Sequence, residues 1–254
     1  MKTVALLGFL TFFAASLAVG LRLVLLWRRT RQLPELLIGI GVLGIGPVGF
    51  GSMMVGAALL ERVGAPTAAE LVFAFGSVAV YCGVLAQCVF TWRAYHPDAA
   101  WAKGAVAFFG LGLTAVFGVR LAGTGFVPTP TPDAAALVQS TLQVSCLLWA
   151  SFEAFRYWHL MQRRARLGLS DPVVCNRFLL WGIGAGAAGI GSAVGTVASL
   201  VVGVSSLQIP WVVASSSAHG FVAAVAMSLA FLSPPAYLRW VRGRADSCTT
   251  ASAA

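Results

Sequence analysis

Charge is what this sequence has least of. Asp, Glu, Lys and Arg make up 10% of its 254 residues, against about 25% in a soluble globular domain. So few charges cannot cover a water-facing surface, and 59% of the residues are hydrophobic, so the bilayer is the expected solvent. Histidine is scarce too, at three residues. His96 and His159 fall at one face of the expected bundle and His219 toward the other. That separation argues against a two-histidine haem site, and no metal site is expected. The five cysteines, Cys82, Cys88, Cys146, Cys175 and Cys248, include no CxxC pair and read as small buried hydrophobes and free thiols. No nucleophile stands with a base and no catalytic carboxylates are paired, so the chain is not expected to be an enzyme. Its net charge of +9 is not a nucleic-acid footprint either. Such a footprint gathers basic residues on one folded face, whereas here they sit in short gaps between apolar runs.

Those runs are what the sequence has in abundance. Seven stand out, at about 4–27, 34–60, 70–92, 104–126, 134–160, 177–203 and 210–232. Each is long enough for a spanning helix of about 20 residues. All are too long and too uniformly apolar for barrel strands, which alternate over about ten residues. The expected fold class is therefore an all-α integral membrane protein, one seven-transmembrane-helix bundle over 1–254. It carries a basic cytoplasmic loop at 161–177 and a short cytoplasmic tail at 241–254. The first run resembles a secretory signal near Ala14-Ala15-Ser16, but it continues through Leu23-Val24-Leu25-Leu26-Trp27 and reads as an uncleaved first helix.

Basic residues set the orientation. With the N-terminus outside and the C-terminus cytoplasmic, fourteen Lys and Arg fall inside: Arg22, Arg28, Arg29, Arg31, Arg93, Lys103, Arg156, Arg163, Arg164, Arg166, Arg177, Arg239, Arg242 and Arg244. Only Lys2 and Arg62 fall outside, and Arg120 lies within a span. This positive-inside bias points to a bacterial inner membrane.

Two stretches of the chain look alike. Arg28-Arg29-Thr30-Arg31 leaves the first span and Arg163-Arg164-Ala165-Arg166 leaves the fifth. Gly39, Gly41, Gly44 and Gly46 of the second span share their spacing with Gly184, Gly186, Gly189 and Gly191 of the sixth. Spans 1–3 thus match spans 5–7, with the fourth as linker, which makes a parallel repeat. This 3+1+3 plan resembles that of SWEET-type transporters, and a related plan belongs to microbial rhodopsins and other seven-helix receptors. The rhodopsin resemblance implies a retinal lysine in the seventh span. The only lysines here are Lys2 and Lys103, so Schiff-base retinal is excluded and no cofactor is expected.

The glycines also spell GxGxxG, but inside membrane spans the motif means close helix contact, not a dinucleotide site. Pro47 should kink the second span. Arg120 is the most informative residue, because a charge inside a span is costly unless paired or wetted. One reading has it snorkelling to the outer interface. The other has it in an outward-facing pocket with Gln139, Gln143, Ser216, His219 and Glu70, suited to an anionic or carbonyl-bearing ligand. Glu153 and Arg156, i, i+3 on the fifth span, form with Arg22 an inner ion-pair lock or, alternatively, a proton-coupling site.

Three functional readings follow. The first is a receptor or sensor that binds a small ligand and signals to a cytoplasmic partner at 161–177. The second is a small-solute transporter of the parallel-repeat type. The third is a structural subunit of a membrane complex. The oligomeric state is not legible. All three share one orientation, which reporter fusions check. Fusions after Arg31, His96, Arg166 and Arg244 should read as cytoplasmic, and those near Gly64, Pro130 and Ser206 as external. Two or more reversed reporters would overturn it.

Overall fold

The computed structural model describes residues 2–251, with the side chains at 2–6, 166, 207 and 244–251 left out. The side chains of Lys2, Arg166, Arg244 and Cys248, and the last three residues of the expected tail, thus lie outside what is described. Among the described residues the chain is helical and contains no strand. Seven helices are long and apolar enough to cross a membrane. They are α1 Lys2–Thr30, α2 Leu33–Val63, α3 Pro66–Tyr95, α4 Ala100–Thr124, α5 Ala134–Arg166, α6 Pro172–Val202 and α7 Pro210–Phe231. An eighth helix, α8 Pro235–Ala251, occupies most of the expected tail.

The punctuation is local. Prolines open α2, α3, α6 and α7 at their first or second positions, where the missing N–H is one that no helix would use. Asp133 and Asp171 cap α5 and α6 by accepting from the amides of Ala136 and Val173, at 2.6 and 2.8 Å. Gly64 and Gly203 end α2 and α6 in the left-handed conformation, φ 65° and 75°. The helices outrun their apolar stretches, because a capped helix continues through solvated polar turns. The expected 161–177 loop is correspondingly a correction. The α5 helix runs to Arg166 and α6 begins at Pro172, leaving only 167–171 as connection.

The seven helices close a ring, with α7 packing back on α1 and each helix on the next. The third also touches α5 across the ring and is the most deeply buried span, whereas α4 lies outside α3 and α5. In α2, Pro47 does not interrupt the helix. The turn from Gly44 to Phe50 widens to π geometry around it, which accommodates the absent N–H and the ring.

The shared glycine spacing has a packing cause. Steps of two, three and two residues at 100° each put the first and last glycines on one side of a helix and the middle two on the opposite side. In α2, Gly39 and Gly46 abut Val24 and Ser16 of α1, while Gly41 and Gly44 abut Gln87 and Gly83 of α3. In α6, Gly184 and Gly191 abut Met227 and His219 of α7, while Gly186 and Gly189 abut Ser151 and Leu148 of α5. Each helix is therefore clasped between two neighbours through opposed small faces. The partners, however, are exchanged: a repeat in chain order would turn Gly184 and Gly191 toward α5. The glycines thus encode a way of clasping a helix and lend no support to that repeat.

Candidate functional site

Three polar features interrupt the apolar bundle, and they differ in how fully the protein satisfies them. The first surrounds Arg120, where α4 widens into a π turn before Gly125. Its side chain is only 9% exposed, so it does not snorkel. Nη1 donates to the Gly125 carbonyl at 3.1 Å, and Nη2 lies 3.8 Å from Asp133 Oδ1. Tyr81 stands beside the guanidinium and donates its hydroxyl to Gln139 Oε1 at 2.9 Å. Glu70 pins the strap after α4, accepting from the amides of Phe126 and Val127 at 2.6 and 3.1 Å.

Of the residues expected around Arg120, the structure thus brings together Glu70 and Gln139, linked to it through the strap and Tyr81. Gln143 is half-buried one turn along α5 from Gln139. Ser216 and His219 are not brought there. Both sit on α7, which packs on α1 and α6. Ser216 is exposed, and His219 Nδ1 lies 2.8 Å from the Ser215 carbonyl while its ring covers Gly191. The guanidinium makes one hydrogen bond to the strap and a longer approach to Asp133, while its Nε is a buried donor without a partner.

The second feature is at the opposite end. Glu153 is 4% exposed. Its Oε1 lies 2.8 Å from His96 Nε2, an ion-pair distance without hydrogen-bond alignment, and its Oε2 lies 3.3 Å from Arg156 Nε. The described ion pairs leave Arg22 out, and it is exposed on α1. The expected lock is corrected accordingly: His96, from the turn after α3, takes the place given to Arg22. Trp101 packs its ring edge against His96, with centroids 4.6 Å apart. No spacing pattern pointed to His96, because it lies outside the apolar run and far from Glu153 in sequence.

The third feature is a cleft at the centre of the ring, with about 70 Å³ of free space, lined by residues of α1, α2, α3, α5, α6 and α7. Its wall is small and apolar, built from residues such as Ile45, Gly184, Ala185 and Met227. Gln87 and Trp181 also line it, 3% and 4% exposed. Both Gln87 Nε2 and Trp181 Nε1 are buried donors without an acceptor. Each such group costs about 1–3 kcal/mol if left unmade. The Trp181 ring is held edge-on between Phe90 and Phe231, with centroids at 5.6 and 5.8 Å. Neither residue was singled out from the sequence, although a lone amide within the 70–92 run was a visible signal.

A second cleft, of about 550 Å³, is an open apolar groove between α6 and α7 lined by Val197, Val201 and Trp211, a surface suited to lipid. Among the described residues no three His, Cys, Asp or Glu side chains group as metal ligands would. Comparison with protein-family models, with curated proteins and with solved structures finds no match to this chain.

The inner cluster yields a stability test. Arg156 is half exposed and His96 only 12% exposed at the side chain. Solvent screens the first pairing, which is worth about 0–1 kcal/mol. Losing His96 removes the one partner that approaches this carboxylate from a largely buried position, at about 1–3 kcal/mol. In detergent unfolding, His96→Leu should cost clearly more than Arg156→Ala. Equal losses would show that Glu153 is held by neither partner in particular.

Proposed function

We propose that this chain is a non-enzymatic, receptor-like protein of a bacterial inner membrane, with its N-terminus outside and its C-terminus in the cytoplasm. It binds a small ligand inside the helix bundle and reports to a cytoplasmic partner near the α5–α6 connection. The orientation rests on the fourteen-to-two basic bias. No cofactor and no nucleic acid enter the proposal.

The observation that carries it is the central cleft, which touches six of the seven spans. The ligand site is therefore assigned there and not to Arg120, whose guanidinium is turned into the strap toward Gly125 and Asp133. An occupant at a junction of six helices acts on all their mutual packing at once, and a packed core switches between arrangements rather than stretching. Of the six, α5 and α6 carry that change directly to the short connection 167–171, which is flanked by Arg163 and Arg164.

One observation favours the transporter reading instead. The π turn at Pro47 borders the cleft, since Ile45 and Gly46 line it, and wide turns of this kind are frequent at sites that move. The two readings part in hydrogen exchange. Ala185→Val partly fills the cleft, and the matched control is Ala107→Val at an exposed position on α4. A receptor should show at least about a threefold change in exchange across 161–177, with the outer connection 203–209 unaffected. Opposite changes at the two faces would favour transport. No change at either face, in a folded variant, would remove the receptor reading.

A further inference from the structure

The two unmatched donors constrain what the central cleft accepts. We propose that it is a binding site for a small uncharged molecule, mostly hydrocarbon, carrying a carbonyl-type oxygen. The site stands on the geometry of the cleft, and its link to signalling rests on the receptor reading above.

Charge is excluded first. No Asp, Glu, Lys, Arg or His lines the cleft, and an unpaired ion in such a place costs several kcal/mol or more. Hydrogen-bond polarity comes next. The wall offers N–H groups that lack acceptors, the Gln87 amide and the Trp181 indole. The indole has no acceptor to offer in return. Ser16, also on the wall, already donates its hydroxyl to the Phe12 carbonyl at 2.6 Å. The two unmatched groups are both donors, so the occupant needs an acceptor to satisfy them, and a carbonyl oxygen has two lone pairs with which to take one or both.

Depth agrees between the two donors. Gln87 lies eight residues before the end of α3 at Tyr95, and Trp181 nine after the start of α6 at Pro172. At about 1.5 Å per residue both stand roughly 12–14 Å from the same end of the bundle. Neither can reach the interface, so neither is satisfied by bulk water.

Size selects among acceptors. The free space of about 70 Å³ is roughly half the 150 Å³ that holds a benzene ring. It admits a few heavy atoms. It also has room for about two waters, but a buried water typically makes about three hydrogen bonds, and this wall is almost wholly apolar. A single molecule that buries a methyl or ethyl group against Ala185, Ala224 and Met227 and turns one oxygen to the donors fits the lining better.

The probe is acetone, the smallest ketone, and its control is 2-methylpropene, in which a methylene replaces the oxygen at nearly the same shape. The full chain is reconstituted in nanodiscs with ¹⁵N-labelled tryptophan, and the Trp181 indole resonance, one of eight, is assigned by its loss in Trp181→Phe. Acetone should shift that resonance saturably and the alkene should not. Gln87→Met, with the other indole resonances unmoved as evidence of folding, should weaken acetone about three- to tenfold, the worth of one hydrogen bond. Equal binding of the alkene, or no saturable shift with acetone, overturns the proposal. Saturable binding that leaves exchange in 161–177 unchanged supports the site while counting against the receptor reading. Failure of binding in a protein whose loop still answers Ala185→Val removes the site's chemistry and leaves that reading in place.

Discussion

Helices in a bilayer gain nothing from hiding apolar side chains from one another, because lipid is equally apolar. They are held by close packing and by what few polar contacts they make. The rest of this structure depends on that constraint. Opposed glycine faces let α2 sit against α1 and α3, and α6 against α5 and α7. A β-carbon at Gly44 would fall 2.6 Å from the Ala79 carbonyl, and one at Gly186 2.7 Å from Ser151 Oγ. Backbones this close bring six spans around a common centre. The same economy of side chains leaves that centre unfilled, since the residues that permit contact at the helix faces are too small to plug the middle.

The polar groups divide accordingly. Those at the two ends are drawn into the frame by ion pairs and a few hydrogen bonds, although Arg120 Nε is left without a partner. Arg120, Glu70 and Asp133 fasten the strap between α4 and α5, while His96, Glu153 and Arg156 tie α3 to α5 at the other end. Those at the centre are not bound. A donor buried among apolar walls without an acceptor is a standing cost, and two of the residues that carry one line the central cleft.

The spans were legible because length and hydropathy alone decide them, and prolines announce most of their starts. Their true ends were not, since α5 continues as helix past its apolar run to Arg166. Part of the outer cluster was legible as well, because Arg120, Gln139 and Glu70 share a depth. Depth, however, is a property of every span at once and says nothing of direction around the ring. Ser216 and His219 match in depth and lie on a helix that packs elsewhere. Arg22 failed for the same reason, and His96 was missed because tertiary contact, not spacing, delivers it to Glu153. The glycine spacing was read as a repeat, and in the structure it sets each helix against both of its neighbours.

The central claim is that the bundle holds an occupied space between α3 and α6. A high-resolution density map of the protein in nanodiscs tests it most directly. The account predicts non-protein density within about 3 Å, hydrogen-bond distance, of Gln87 Nε2 or Trp181 Nε1. A cleft closed by Ile45 and Met227, with both N–H groups bonded to the protein's own carbonyls, would contradict it.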